Sequence, residues 1–176
     1  IKNEATKILN IKLKNYNFFN YTQYYVENNL LNSFRLKIYN KLNKNKKFLE
    51  NYYKMGRKYI DLFCGNELAI QKKINLSIQL PNDSSSILPI HTDVWSGNSP
   101  FELVLWIPLV SVKKTKSMFI LSPEQNEYYF KNLKKFKTAE NIYAHARKKI
   151  KWLNLKYGQG LIFSQNLLHG NVINKE

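Results

Sequence analysis

Residues 32–62 carry apolar side chains at helical spacing, with lysine and asparagine on the opposite face, whereas residues 1 to about 30 show no clear period. The apolar positions of this pattern are Phe34, Ile38, Leu42, Phe48, Tyr52, Met55, Tyr59 and Leu62. The pattern predicts one long helix, or two helices joined near residues 43–45, that end before Gly65, where glycine can supply a left-handed cap. An aromatic stripe at this spacing could stack bases, but it favours a helix face that packs on a sheet.

Residues 74–80 alternate between apolar and polar side chains, which predicts a strand with one polar face. A turn is predicted at 81–84. The polar face of the strand either points into a space that the sheet encloses or faces solvent. An apolar run at 101–110 predicts a further strand. Within it, Glu102 either lines a wet pocket or lies at the strand end in solvent, because an unpartnered buried carboxylate is costly.

The second half of the chain combines short strands with a basic helical segment. Strands are predicted at 117–121, 150–155 and 161–163. Ser122-Pro123-Glu124-Gln125 has the sequence of a capping box, and helices are predicted from there to about 136 and again over 138–149. These two helical segments form a basic insertion between strands. Its charged side chains either face solvent or hold an anionic substrate. His145 has no neighbour at a ligand-like spacing, which indicates a surface or packing role.

Charge raises the question of a polyanionic partner. The chain has 28 Lys and Arg against 12 Asp and Glu, which gives a formal net charge of +16. Such an excess is typical of proteins that bind nucleic acid or anionic membranes. Here lysine is enriched together with Asn, Ile, Tyr and Phe, as an AT-rich coding sequence produces, and most lysines are scattered along the chain. The charge therefore leaves a nucleic-acid partner open without favouring one.

Composition also bounds the class of protein. A length of 176 residues with 44% hydrophobic content suits a single domain with a substantial core. The single cysteine, Cys64, excludes an internal disulfide framework and fits a reducing compartment. No apolar run approaches the roughly 20 residues of a membrane span, and the first residues carry no export signal. These features predict a cytoplasmic protein without a membrane span; they leave the oligomeric state open.

The candidate chemistry lies in a His-x-Asp segment and a distant histidine. An extended His91-Thr92-Asp93 segment places His91 and Asp93 on one face. His169, which follows a glycine-rich turn and a buried strand, can supply a third ligand. Two imidazoles and one carboxylate on one side of a metal are the arrangement of non-haem Fe(II) oxygenases. Two alternatives stay open: unrelated histidines satisfied by backbone hydrogen bonds, and a zinc- or manganese-bound cupin with other chemistry.

Several segments together resemble one family. The segments are His91-Thr92-Asp93, residues 105–109, residues 117–123, Leu168-His169-Gly170-Asn171 and Asn174. They are similar to the phytanoyl-CoA hydroxylase-like branch of the Fe(II)/2-oxoglutarate dioxygenases. The stretch at 96–102 further resembles oxygenases found sporadically in bacterial carbohydrate biosynthesis clusters. The resemblance covers roughly residues 74–176.

The resemblance implies a fold and a set of ligands. The fold would be α+β or mainly β: a double-stranded β-helix, or cupin-like jelly roll, over 74–176 with a helical insertion at about 123–149. Residues 1–70 would form mostly helical support packed on the outside. His91, Asp93 and His169 would hold Fe(II), with 2-oxoglutarate as cosubstrate and dioxygen as oxidant.

The resemblance also implies positions for the cosubstrate. Trp106 would lie beside 2-oxoglutarate, and Gln79, with Ser77 as a weaker match, would help to bind it. The family pairs the cosubstrate carboxylate with an arginine about ten residues beyond the distal histidine, whereas the sequence ends seven residues after His169. We expect this arginine in a tail beyond Glu176, because Lys116, the other candidate, offers only a point charge instead of a two-point fork.

The expected substrate follows by analogy alone. A sugar-related small molecule, linked to a nucleotide or a lipid and therefore anionic, fits both the resemblance and the basic surroundings. Ser96, Asn98 and Glu102 are then the expected partners of its hydroxyl groups. The expected activity is hydroxylation in a biosynthetic pathway; an oxygenase that acts on nucleic acid and a non-catalytic binding module are the alternatives.

Overall fold

The computed structural model of the chain describes residues 1–11 and 18–176. Residues 12–17, a part of the predicted helical support, lie outside the described residues. The described chain forms two compact units, Ile1–Ile78 and Gln79–Glu176. Helices and small antiparallel sheets occur together, which confirms the α+β class. The described residues contain more helix than strand, so the mainly β description is wrong.

The described residues of the first unit contain three α-helices, α1 (Lys2–Ile8), α2 (Leu31–Asn43) and α3 (Lys46–Cys64). Three short 3-10 helices, at Phe18–Asn20, Thr22–Tyr24 and Asn28–Leu30, precede α2. Asn45 caps α3, since its side-chain oxygen accepts a hydrogen bond from the backbone N–H of Phe48. Gly65 ends α3 with a φ of 77°. The version of the prediction with two helices joined near 43–45 is confirmed.

The stripe of α3 does not pack as predicted. Leu31, Phe34, Ile38 and Leu42 of α2 are buried, but Gly56 is the one fully buried residue of α3. Met55, Tyr59 and Leu62 are 60%, 55% and 75% exposed. The expectation that this face packs on a sheet is wrong for these residues, because the described residues of the first unit include no strand.

The segment 74–78 does not form the predicted strand, and helix side chains bind its backbone. Asn43 of α2 accepts a hydrogen bond from the Ile74 N–H at 2.7 Å and donates to the Ile74 carbonyl at 3.0 Å. Arg35 donates to the Leu76 carbonyl at 3.2 Å. Helix side chains therefore take the hydrogen bonds that a neighbouring strand would have made. The alternation survives in the burial, since Ile74, Leu76 and Ile78 are half-buried and the residues between them are exposed.

The second unit holds two small antiparallel sheets. In the first, β1 (Leu103–Trp106) pairs with β4 (Leu161–Ser164). In the second, β2 (Phe119–Ile120) lies between β3 (Lys151–Trp152) and β5 (His169–Gly170). Isolated bridges join Pro81 with Asn174, His91 with His169, and Val112 with Leu155. Strands form within the segments predicted at 101–110, 117–121 and 150–155, and each is shorter than predicted. The strand predicted at 161–163 continues to Ser164, and β5 was not predicted.

Three helices cover the second sheet: α4 (Pro123–Lys131), α5 (Leu133–Phe136) and α6 (Ala139–Ala146). The predicted capping box is present, with hydrogen bonds between Ser122 and Gln125 in both directions. The apolar faces of these helices pack against β2 and against the residues that precede His91 and His169. Together they form one buried core: Ile90, Phe119, Leu121, Tyr129, Phe136, Ile142, Ala146 and Leu168. The basic insertion is therefore a structural layer of this unit as well as a charged surface.

Lys137, between α5 and α6, has a strained backbone. Its φ is 62° and its ψ is −40°, and the Thr138 N–H donates to the Phe136 carbonyl at 2.7 Å, which is the hydrogen bond of a classic γ-turn. We expect Lys137→Gly to stabilise the chain by about 1 kcal/mol, because glycine adopts positive φ without the strain that a side chain adds. Urea unfolding measures the change. Lys134→Gly, inside α5, is the control and should destabilise by up to about 1 kcal/mol; a lower stability of Lys137→Gly would contradict the strain.

Candidate metal centre

The two histidines are brought together by a backbone bridge. The His91 N–H donates to the His169 carbonyl and the His169 N–H donates to the His91 carbonyl, both at 2.9 Å. Residues that exchange both hydrogen bonds of an antiparallel pair carry their side chains on the same face. The two imidazole ring centroids are accordingly 4.5 Å apart.

Asp93 completes the group because Thr92 is extended, with a φ of −116° and a ψ of 146°. The side chain of Thr92 points into the interior and is fully buried, so His91 and Asp93 share the other face. Asp93 then starts a 3-10 helix, Asp93–Ser96. Its carboxylate lies 3.5 Å from His91 Nε2 and 3.8 Å from His169 Nε2. The three ligand atoms lie within 4.8 Å of one another, so this group can hold a metal ion.

Backbone carbonyls set the tautomer of both imidazoles. His91 Nδ1 lies 2.6 Å from the Pro89 carbonyl, and His169 Nδ1 lies 2.8 Å from the Leu167 carbonyl. A carbonyl oxygen only accepts, so each Nδ1 carries the proton. In the neutral imidazoles each Nε2 then presents a lone pair toward the Asp93 carboxylate. Three acceptors that face one another can bind a metal ion between them, and a backbone carbonyl on the other ring nitrogen is the usual support of a metal-binding histidine.

Burial favours the neutral, metal-binding form of His169. The residue is buried, and this lowers the pKa of its imidazole below the ordinary 6.5, against the opposing effect of the Leu167 carbonyl. The neutral imidazole is the form that binds metals. His91 and Asp93 are partly exposed, so an ion held by the three side chains keeps open positions toward solvent. An open shell is typical of a catalytic metal and not of a structural one.

Core residues next to each histidine anchor the bridge. Ile90 is 2% exposed and Leu168 is fully buried, and both belong to the core that contains Phe119. Successive side chains of an extended chain point to opposite faces. Each histidine directly follows one of these buried residues and therefore points away from the core. Gly170 lets the chains approach, since a Cβ there would lie 2.9 Å from the Leu88 carbonyl oxygen. A side chain at this position would push the distal strand away from the segment that carries His91.

Two asparagines, to which sequence reasoning gave no separate role, clamp the bridge from its two sides. Asn126 of α4 accepts from the Leu168 N–H at 2.8 Å and donates to the Asn166 carbonyl at 3.0 Å. Asn171 donates to the Ser86 carbonyl and accepts from the Leu88 N–H at 2.6 Å. Asn171 belongs to the Leu168-His169-Gly170-Asn171 segment of the family resemblance, whereas nothing in the sequence relates Asn126 to a histidine 43 residues later. The insertion thus positions His169.

We expect Asn126→Ala to weaken both the fold and the metal site. The variant leaves the buried Leu168 N–H without an acceptor, which destabilises by about 1–3 kcal/mol. Because the segment before His169 is then released, the affinity for Co2+ should fall about tenfold. Thermal unfolding and Co2+ titration measure the two effects. Asn98→Ala, on an exposed loop, is the control, and an Asn126→Ala protein that equals it in both measurements would exclude the positioning role.

The residues predicted to bind the cosubstrate have contacts of their own in the structure. Gln79 donates its side-chain N–H to the Val172 carbonyl. Trp106 is half-buried in β1, opposite Leu161. Lys116 lines a separate cleft of about 340 Å3 together with Lys113 and Lys156. Their roles toward a cosubstrate stay predictions.

The expected substrate residues are exposed. Ser96 ends the 3-10 helix that Asp93 begins, and Asn98 lies in the loop after it. Glu102 accepts a hydrogen bond from the Gln165 side chain at 2.7 Å and is exposed at the start of β1, which agrees with the strand-end alternative. Ser77 is exposed and belongs to the first unit. These assignments also stay predictions.

Comparisons of the chain with protein-family models, with curated proteins and with solved structures give no significant match. Within the described residues, no helix combines the length and the hydrophobicity that crossing a bilayer demands. A functional proposal therefore starts from the metal centre.

Proposed function

We propose that the chain is an Fe(II)- and 2-oxoglutarate-dependent oxygenase whose iron is held by His91, Asp93 and His169. The observation that carries the proposal is the convergence of the two Nε2 atoms and the Asp93 carboxylate within 4.8 Å, with both Nδ1 atoms bound to carbonyls. Two imidazoles and one carboxylate match the donors of the facial triad of non-haem iron oxygenases. The sequence resemblance to this family supports the same assignment.

Residues of the chain would hold the iron and keep its ligands in the correct orientation. The backbone bridge and the two carbonyl contacts keep His91 and His169 in their ligand tautomer. Asp93 supplies the negative charge that offsets part of a divalent ion. The rings of Phe163 and His169 form a T-shaped contact with centroids 5.1 Å apart, and this contact would shield the imidazole from water. When bound, iron with 2-oxoglutarate and dioxygen would supply the oxidation of a C–H bond to C–OH, with release of succinate and carbon dioxide.

The jelly roll belongs to this proposal. The antiparallel pairing of β1 with β4 and of β2 with β5 agrees with such a fold, and His169, the first residue of β5, lies opposite His91. In a jelly roll, a site of this kind would lie at one end of the paired strands, where three ligands from distant parts of the chain can meet. Longer strands would be needed to close a double-stranded β-helix around it.

The proposed substrate is a sugar-related, anionic small molecule. The formal charge of +16 favours a negatively charged ligand, and so does the 340 Å3 cleft, where three lysines outnumber the one carboxylate, Glu176. Ser96 and Asn98 are exposed next to the segment that carries Asp93, where hydroxyl groups of a sugar would find hydrogen-bond partners. The same charge leaves a nucleic acid open as the alternative substrate; base-selective DNA binding that weakens steeply with salt would support that alternative.

A turnover assay tests the proposal. Metal-free protein is loaded with Fe(II) without oxygen, and 13C-labelled 2-oxoglutarate and oxygen are then added. We expect slow formation of labelled succinate without any substrate, lost in His91→Ala and kept in His145→Ala. Tight metal binding without succinate would reject the oxygenase and leave a zinc-type centre, for which the same donors are suitable.

A further inference from the structure

Helix α3 carries an apolar strip that nothing in the described structure covers. Met55, Tyr59, Leu62 and Phe63 are spaced by three, four and seven residues, so they lie on one side of the helix. Their exposed fractions are 60%, 55%, 75% and 66%. Four adjacent large apolar side chains in solvent are unfavourable for a soluble surface and mark a binding face.

A basic strip runs beside the apolar strip. Lys47, Lys54 and Lys58 are exposed and lie about a quarter turn around the helix from it. None of these lysines forms an ion pair with a carboxylate of the described residues. Arg57, by contrast, binds Asp61 at 3.1 Å on the remaining face. The lysines bordering the apolar strip are thus available to an external anion.

We propose that α3 lies on the surface of an anionic lipid bilayer, with the apolar strip in the acyl boundary and the three lysines at the headgroups. A basic face next to an apolar face that includes an aromatic residue is the pattern of interfacial helices. Lysines at such a border reach the headgroups with their ammonium groups while their stems contact the apolar region. Tyr59 suits the same boundary, since its ring is apolar and its hydroxyl is polar.

Charge decides against a second copy of the chain as the occupant. Each chain carries a formal charge of +16, and pairing two apolar strips would place the bordering lysines of both copies close together. An anionic surface instead gains from every lysine. The helix is expected to lie on the bilayer and not to cross it, because eight of its 19 residues are Lys, Arg, Asp, Glu or Asn. This inference is independent of the metal centre.

The native cysteine gives a specific experiment. Cys64 is the single cysteine of the chain, is exposed and ends α3. An environment-sensitive dye on Cys64 is followed while the full chain is mixed with vesicles of phosphatidylcholine and phosphatidylserine, or of phosphatidylcholine alone. We expect a blue shift and binding only with phosphatidylserine. Leu62→Ser should weaken binding about tenfold or more, and Lys47→Gln, Lys54→Gln and Lys58→Gln together about 100-fold.

A matched control distinguishes vesicle binding through α3 from nonspecific binding through other exposed apolar side chains. Tyr157→Ser removes a side chain that is 74% exposed, as Leu62 is 75% exposed, but lies in the second unit; its binding should be unchanged. Thermal unfolding verifies that each variant folds. An unshifted dye, or equal binding of Leu62→Ser and the unaltered chain, would overturn the proposal. A dye shift that grows with protein concentration in the absence of vesicles would overturn it as well, in favour of self-association.

Discussion

Replacing His169 by alanine is expected to lower the affinity for a divalent ion by at least about 100-fold. Loss of a group that only supports a metal ligand reduces affinity about 10- to 100-fold, and His169 is itself a ligand in the proposed centre. Co2+ titration followed by visible absorption measures the affinity, and the spectrum reports the change in coordination. His91→Ala and Asp93→Ala should act in the same direction, because each removes one of the three donors.

The third histidine of the chain provides the control for this prediction. His145 is exposed on α6, where its Nδ1 lies 2.8 Å from the Tyr129 hydroxyl and its ring stacks on Tyr128. The prediction of a surface or packing role agrees with this placement. His145→Ala removes one imidazole, as His169→Ala does, but should leave the Co2+ affinity unchanged. If both variants bind Co2+ alike, the ion is held elsewhere and the triad is not the metal site.

Replacing Phe119 by alanine is expected to destabilise the second unit by about 3–5 kcal/mol, the usual effect of deleting a buried aromatic ring. Phe119 is fully buried, and its ring lies 5.6 Å from that of Tyr143 and 5.5 Å from that of Trp152. It is also the partner of Gly170 in β5. Its loss should therefore release the strand that holds His169, and Co2+ binding should weaken along with stability.

Tryptophan fluorescence during urea unfolding measures this change in the correct unit, since Trp95, Trp106 and Trp152 all belong to Gln79–Glu176. Phe101→Ala is the matched control, because Phe101 is 91% exposed and its removal should shift stability by less than about 0.5 kcal/mol. Equal midpoints for the two variants would show that Phe119 is not part of a close-packed core.

The proposed oxygenase and the proposed membrane contact have independent tests. Turnover and Co2+ binding depend on residues of the second unit, whereas vesicle binding depends on α3 of the first. A chain that fails in one set of measurements can still succeed in the other. If both succeed, a lipid-linked sugar becomes the substrate class to assay first.

Features that depend on neighbours within a few residues could be predicted from the sequence. The capping box at Ser122 and Gln125 is one of them, and the break between α2 and α3 at Asn45 is another. The extended geometry that places His91 and Asp93 on one face is a third. In each case the decisive hydrogen bond or backbone angle lies inside the segment, so local chemistry is sufficient.

Features that depend on a distant partner were decided by tertiary structure. The alternating segment at 74–78 did not form a strand because Asn43 and Arg35 took its backbone hydrogen bonds. The stripe of α3 stayed exposed because the described part of the first unit offers it no sheet. Asn126 became a clamp on the distal histidine only because α4 lies beside residue 168.

The metal centre combines both kinds of information. Sequence alone determined which residues bear suitable ligand atoms, because imidazole, thiolate and carboxylate groups are the common side-chain ligands of such an ion and this chain has three histidines and one cysteine. Tertiary structure alone decided that His169 meets His91, through a backbone bridge across 78 residues that no local pattern encodes. The physical reason is that side-chain chemistry belongs to each residue, whereas the distance between two side chains belongs to the packed fold.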